Sequence, residues 1–335
     1  MKTVVINNRK GTEVIEVPTP RAFDNYVVIR VMSAPMCTEY RRYAKGDPCI
    51  NPGHEAAGEV IETSGSTMVN PGDRVIVMPQ FPCGECQLCV QGDYIHCEKL
   101  PDPLKLAGLI YGTGTFAEYM IKPDWLLIPI PEDISYDQAS MACCGLGPAL
   151  GAGKAMNIQT GDTVLITGSG PVGLGAVIYC TSKGARVITV SKNEYRRQLA
   201  FALGAEKTID PSENVEESIA AFTGGKGVDK VIECSGESMY HALAFESVRR
   251  KGQIAFIGES SQITFDLSKK LLRKGLTLHG IWHWNLNDSE EMIHVIRQSK
   301  DKINQLITHT FPLDQIEEAF NVQLTGHCGK IILKP

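Results

Sequence analysis

Long apolar runs are missing from this 335-residue sequence: no stretch approaches the roughly 18 uninterrupted apolar residues of a membrane span, and the most apolar region, Val164 to Cys180, is broken by Gly, Ser and Thr. Positive charge is not in excess either. With 33 Lys and Arg against 38 Asp and Glu, the formal net charge is -5 and no basic patch stands out, so nucleic acid and anionic membrane are not expected partners. The opening segment MKTVVINNRKGTEVIEV lacks the apolar core and small-residue cleavage site of a signal peptide and alternates like a strand, so a cytoplasmic location is expected. Repeats and low-complexity tracts are absent, which sets solenoids aside.

What is present is the composition of a globular enzyme, 43% hydrophobic and 21% charged with 32 glycines, in a chain long enough for two cores. Up to about residue 145 the texture is of short strand-like runs between Gly, Pro, Asn and Asp, such as Tyr26–Met32, Gly58–Glu62 and Asp73–Val77, which reads as a mostly-β domain. From about residue 160, apolar runs alternate with helical segments, the repeated βαβ pattern of a parallel sheet wrapped by helices. Helix-like stretches at Ser289–Ser299 and Leu313–Phe320 and a strand at Lys330–Lys334 close the chain. We therefore expect a first domain over 1–149, a dinucleotide-binding domain over 150–285 and a return to the first domain over 286–335, with the active site in the cleft between them.

Eleven cysteines without a secretory signal point to metal-binding thiolates rather than a disulfide framework. Cys83, Cys86, Cys89 and Cys97 lie in a Pro- and Gly-rich loop at spacings that let four thiolates close a tetrahedron around one zinc, a structural site with no position for water. An iron–sulfur cluster is the rival for four cysteines. The second motif is Gly168-Ser169-Gly170-Pro171-Val172-Gly173, between the apolar run Val164–Thr167 and an apolar helical segment. In that context the glycines allow a tight turn and let backbone amides and a helix N-terminus face a pyrophosphate. At the end of the next strand, Arg186–Val190, the carboxylate that would receive the ribose hydroxyls of NAD is replaced by Ser191, followed by Lys192, Arg196 and Arg197. This favours NADP over NAD, with Glu194 a nearby opposing charge.

Three dispersed segments complete the pattern: Cys37 in PMCTEY, His54-Glu55 in NPGHEAAGEV, and Cys143-Cys144 in MACCGLGPALG. In this order, with the cysteine loop and the glycine motif, they make the whole chain resemble the zinc-containing medium-chain dehydrogenase family of alcohol and polyol dehydrogenases. The resemblance implies an α/β protein with a Rossmann doubly wound parallel sheet domain and a mostly-β GroES-like catalytic domain, and a homodimer or homotetramer. It implies two zinc ions per chain, the catalytic one held by Cys37, His54 and Cys144, with Glu55 as alternative ligand or as partner standing behind. Cys143 is the competing choice for the third ligand. The family's proton relay usually begins at a Ser or Thr two residues after the first cysteine; here that position is Glu39, so either Glu39 accepts the proton or a neighbouring hydroxyl does.

The expected activity is hydride transfer between a nicotinamide dinucleotide and a small-molecule secondary alcohol or ketone, with Glu39 hinting at a polyol, sugar or amino-alcohol. Trp282 and Trp284 follow the strand-like Leu276–Ile281 and could border the cleft, although burial at a boundary is the commoner reason for tryptophan there. The rival readings are a zinc-independent NADPH-dependent enone or quinone reductase and a non-catalytic nucleotide-binding protein.

Overall fold

The computed structural model describes residues 1–8 and 11–335. The chain divides into two compact units, one of Met1–Cys144, Asn285–Lys300 and Ile307–Pro335, the other of Gly145–Trp284 and Asp301–Leu306. Strands β1 (Lys2–Ile6), β2 (Thr12–Glu16), β3 (Tyr26–Pro35), β4 (Ala56–Glu62), β5 (Arg74–Val77), β6 (Tyr119–Pro123) and β7 (Leu127–Pro129) belong to the first unit. The second holds β8 (Thr163–Thr167), β9 (Arg186–Val190), β10 (Lys207–Ile209), β11 (Val228–Glu233), β12 (Val248–Phe256) and β13 (Thr277–Gly280); β14 (Ile307–Pro312) and β15 (Lys330–Lys334) return to the first.

In the first unit the main sheet runs β14-β15-β3-β4-β5-β7, with β6 also paired to β3. Strand β3 is its spine because its sequence is apolar on both faces. Val27, Ile29 and Val31 enter one core with Val60, Val75, Phe116 and Phe320, while Tyr26 and Val28 enter another with Ile121, the two-residue period of a strand buried on both sides. Burying one such Val or Ile contributes about 1.5–3 kcal/mol. The expected strand Tyr26–Met32 continues to Pro35 because its end pairs antiparallel with β15, Ala34 opposite Leu333 and Pro35 opposite Ile332. That partner lies about 300 residues away and leaves no mark on local sequence. The expected helix at Leu313–Phe320 begins instead as a 3-10 turn, Leu313–Gln315, and continues as an α-helix over Ile316–Thr325 that stops at Gly326.

The second unit is a parallel sheet in the order β10-β9-β8-β11-β12-β13, every pairing parallel. Its central strands are buried on both faces, with Val164, Leu165 and Ile166 fully enclosed, as helices on either side of a doubly wound sheet require. Order reverses between β8 and β11, so the turn after β8 sits at the switch point where such sheets bind ligands. Trp284 is buried within this arrangement and Trp282 is half exposed. Among the described residues no helix is long and apolar enough to cross a membrane.

Candidate active site

The first unit gathers two clusters of metal-ligating side chains. In the cysteine loop, a short helix at Gln87–Val90 places Cys86 at its start and Cys89 within it, and a 3-10 turn at Tyr94–His96 delivers Cys97. The sulfurs of Cys83 and Cys97 lie 3.5 Å apart, Cys86 and Cys89 3.5 Å, Cys86 and Cys97 3.9 Å, and Cys83 and Cys89 4.0 Å. A zinc tetrathiolate with Zn–S of about 2.3 Å has sulfur–sulfur edges of about 3.8 Å, so the four residues fit that ion as they stand. Backbone amides face the sulfurs: Cys83 N–H donates to Cys97 Sγ (3.3 Å) and Cys86 N–H to Cys83 Sγ (3.4 Å).

The second cluster joins Cys37, His54, Glu55 and Cys144, whose ligand atoms all lie within 4.8 Å of one another. Sheet geometry explains the convergence. Cys37 follows the end of β3, His54 and Glu55 precede the start of β4, and these two ends are antiparallel neighbours, Ser33 opposite Ala57. Cys144 arrives from the turn after the helix Tyr136–Ser140, whose start is tied by a reciprocal Ser135–Gln138 capping box. The last strand adds Lys330, because Met36 N–H donates to Ile331 O (2.9 Å) and so sets β15 beside Cys37. Cys143, by contrast, is buried with its sulfur toward Val77 O (3.4 Å), so Cys144 is the cysteine in the cluster.

Each member is held from behind. His54 Nδ1 lies 2.5 Å from Glu39 Oε1, which leaves Nε2 facing Cys144 Sγ at 3.3 Å. The other oxygen of Glu39 accepts from Cys37 N–H (2.9 Å), and Gln323 Nε2 donates to Cys37 O (2.7 Å). Glu55 and Lys330 form an ion pair at 2.6 Å with neither side chain exposed, and the second Glu55 oxygen accepts from Cys144 N–H (3.1 Å). Two donors thus serve the carboxylate form of Glu55.

The protonation tendencies follow from these contacts. Burial opposes charge on Glu39, but the adjacent His54 outweighs it and holds the carboxyl at about 2. Burial likewise disfavours protonated His54, and the Glu39 carboxylate overrides it, raising the imidazole well above its usual range. Cys37 is drawn well below the ordinary thiol range by its hydrogen bond with Cys144, against burial and with help from the charge of Lys330. Burial pushes Glu55 up to about 7 against the pull of Lys330. The donor set is two sulfurs and one imidazole nitrogen, the latter oriented by a carboxylate, which suits zinc with an open fourth position.

Glu39, expected as a proton acceptor, is buried with both oxygens engaged, at the start of the helix Glu39–Lys45. Each oxygen of Glu39 thus already accepts one hydrogen bond. Thr38, which precedes that helix, makes no side-chain capping bond. Lys330 and Gln323 escaped the sequence reading. A lysine opening the closing strand Lys330–Lys334 ahead of three apolar residues is the one available signal for the first, and Gln323 offers none.

In the second unit the glycine motif forms the turn from β8 into the helix Pro171–Ser182. Gly168 has φ of +82° and its N–H donates to Val190 O (2.9 Å), a left-handed position suited to glycine. A Cβ on Gly173 would sit 1.9 Å from Gly168 O, whereas one on Gly170 would meet no protein atom within 4 Å and would project into open space at the helix start. Ser169 Oγ is buried without a hydrogen-bond partner. An open glycine face, an orphaned hydroxyl and a helix N-terminus begun by Pro171 fit a pyrophosphate. Fully buried Glu233 secures the opposite turn by accepting from Ser235 N–H (2.8 Å) and Gly236 N–H (3.1 Å).

At the end of β9, Ser191 is nearly buried and donates its N–H to Ile209 O (3.1 Å). Lys192 pairs with Glu237 at 2.7 Å, and Asn193 caps the following helix by accepting from Arg196 N–H (3.0 Å). Arg197 folds inward onto the carbonyls of Ser191 and Lys192 and onto Asp210. Its charge is spent inside the fold.

Comparison with known proteins agrees with this geometry. Residues 24–132 match the alcohol dehydrogenase GroES-like domain and residues 171–298 the zinc-binding dehydrogenase family. The L-threonine 3-dehydrogenase of Bacillus velezensis is 32% identical over 349 aligned positions, covering 100% of this chain and 99% of that protein. Among solved structures, alcohol dehydrogenase TADH from Thermus sp. ATN1 superposes with a TM-score of 0.90 at 25% identity, covering 100% of each chain. Galactitol-1-phosphate dehydrogenase from Escherichia coli superposes with a TM-score of 0.88 at 25% identity, again over 100% of each chain.

Proposed function

From the premise that this chain belongs to the zinc-type medium-chain dehydrogenase family and is an oxidoreductase, we propose that it transfers hydride between a nicotinamide dinucleotide and a hydroxyl-bearing small molecule, oxidising a secondary alcohol to a ketone or the reverse. The observation that carries this reading is the convergence of Cys37, His54 and Cys144 with Glu39 on the far nitrogen of the imidazole. It disfavours a zinc-independent reductase, which has no use for that donor set.

Cys37 Sγ, His54 Nε2 and Cys144 Sγ would hold the catalytic zinc, and Cys83, Cys86, Cys89 and Cys97 a second, structural ion. When bound at the first site, zinc supplies a Lewis acid that polarises a carbonyl or eases ionisation of an alcohol. The chain's own residues prepare that site. Glu39 keeps Nδ1 of His54 occupied, so the ring presents Nε2 in one tautomer and orientation. Glu55, one of the four clustered ligand groups, is held by Lys330 and Cys144 N–H and would stand behind the metal or serve as an alternative ligand. The Thr38 hydroxyl, without a capping bond and lining the same cavity as His54, is the group placed to pass on the substrate proton at Oγ1.

For the dinucleotide, the motif Gly168 to Gly173 would carry the pyrophosphate. NADP is favoured over NAD because Ser191 ends β9 without a carboxylate and Lys192 and Arg196 stand beside it, whereas Arg197 serves the fold.

The direct test is nicotinamide absorbance with NADP and NAD in parallel, using metal-analysed enzyme and a panel of simple alcohols, polyols, sugar alcohols and amino-alcohols including L-threonine. Turnover with at least one class and a lower KM for NADP is expected. Silence across the panel from protein carrying two zinc ions per chain would sink the reading.

Glu39→Ala tests the positioning role. Freeing the imidazole should weaken zinc at the catalytic site about 10- to 100-fold in competition with a chelator, with activity falling in parallel and Glu39→Asp restoring part of both. Unchanged zinc affinity with lost turnover would instead return Glu39 to the proton relay.

A further inference from the structure

Beside the proposed metal site, the first unit contains a cavity of about 230 Å³ lined by Thr38, Glu39, Arg42, Cys49, Asn51, Pro52, Gly53 and His54. Its electrostatics are one-sided. Glu39 is the sole acid in that lining, and its two oxygens are already taken by His54 Nδ1 and Cys37 N–H. Asn51 is likewise committed, its amide donating to Ile110 O (2.9 Å) and its oxygen accepting from Gly112 N–H (3.1 Å). The guanidinium of Arg42, in the last turn of the helix Glu39–Lys45, has no hydrogen-bond or ion-pair partner among the described residues.

Arg42 is exposed at the mouth of this polar cavity, and its planar fork of five donors is matched by a carboxylate or phosphate, whose oxygens it can bind two at a time. The fold has not supplied that partner. On the reading that this protein is a dehydrogenase, we propose that Arg42 receives an anionic group carried by the hydroxyl substrate, so that the preferred substrates are hydroxy acids, amino acids or phosphorylated polyols rather than neutral alcohols. Because His54 and Thr38 line the same cavity, an oxyanion on Arg42 would hold the substrate beside these two residues. Such a tether limits the freedom of the bound hydroxyl and raises kcat/KM for substrates that carry it.

Two readouts test this on the full-length, zinc-loaded chain. The first is calorimetric titration with inorganic phosphate and, separately, with acetate, comparing wild type with Arg42→Gln, Arg42→Lys and Lys45→Gln. Lys45 is a second cation in the last turn of the same helix but does not line the cavity. The second is kcat/KM for matched pairs, 3-hydroxybutyrate against 2,3-butanediol and galactitol 1-phosphate against galactitol.

Expected are an affinity for at least one anion that Arg42→Gln weakens about 10- to 100-fold, Arg42→Lys weakens less and Lys45→Gln leaves in place, and a preference for the anionic member of a pair that collapses in Arg42→Gln. The arm that responds, carboxylate or phosphate, identifies the substrate group. Equal anion binding by wild type and Arg42→Gln, an equal loss in Lys45→Gln, or a preference untouched by Arg42→Gln would overturn the proposal. Arg42-dependent anion binding with no turnover of any pair, nor of any member of the wider alcohol panel, would overturn the dehydrogenase reading and leave the anion site standing.

Discussion

Replacing Cys37 by serine is expected to lower the zinc content from two ions per chain to one and to reduce kcat by roughly a thousandfold or more. The size follows from what a Lewis acid contributes, several kcal/mol of transition-state stabilisation, at about 1.4 kcal/mol per tenfold in rate. The loss should be selective because the two clusters share no residue: Cys83, Cys86, Cys89 and Cys97 form one and Cys37, His54, Glu55 and Cys144 the other. Cys37 is suited to its position as a thiolate, its proton loss favoured by Cys144 and Lys330, whereas a serine hydroxyl stays neutral at the same place and donates poorly to zinc. Main-chain support survives the change, since Gln323 holds Cys37 O and Glu39 its N–H. Elemental analysis and steady-state kinetics on one preparation decide the matter. Turnover that persists after one zinc has gone would place the chemistry elsewhere, and retention of both ions would remove Cys37 from the ligand set.

The degree to which this site could be read in the sequence depends on how local each signal is. Cys83 to Cys97 and Gly168 to Gly173 are contiguous motifs whose spacing carries geometry by itself, and the structure gathers the four sulfurs and turns β8 into its helix there. Cys37, His54 and Cys144 are dispersed: spacing says nothing about their convergence, which depends on β3 and β4 pairing antiparallel and on the turn after Ser140. Only a resemblance to a family could join them. Glu39 was legible as a carboxylate but not as one spent on His54, because its direction is decided by where the helix Glu39–Lys45 begins.

The same holds for charges at the end of β9. Lys192, Arg196 and Arg197 look alike in sequence, yet Arg197 folds back on the carbonyls of Ser191 and Lys192. Strand ends were misjudged where the partner is distant, as at Pro35, whose neighbour Ile332 belongs to the last strand. Lys330 is the extreme case. Its partner Glu55 is 275 residues away, and no periodicity or propensity connects them.

Lys330 is also where a single substitution should cost the first unit most stability. Lys330→Met leaves the fully buried Glu55 carboxylate without its counter-charge, and breaking one side of a buried pair typically costs about 3–5 kcal/mol. At roughly 2–4 °C per kcal/mol for a domain of this class, the melting temperature should fall by about 6–20 °C. The penalty arises from the unpaired buried carboxyl, which must either stay charged without Lys330 or take up a proton, and not from lost packing, since methionine fills much of the lysine stem's volume. Glu55→Gln added to Lys330→Met should therefore recover more than half of the loss, its amide oxygen still accepting from Cys144 N–H.

A surface pair provides the contrast: Arg30, which is exposed, and Glu59, which is partly so, lie 2.7 Å apart and should tolerate Arg30→Met with little change. Function gives a second readout, because the carboxylate that loses Lys330 also positions Cys144. Catalytic-site zinc should be captured by a chelator about 10- to 100-fold more readily in the single variant. If Lys330→Met melts no earlier than Arg30→Met, or if the double variant is as unstable as the single one, the pair is not what secures the floor of the site. An unchanged chelator competition would separate the two roles, leaving Lys330 to stability and the hold on Cys144 to its own turn.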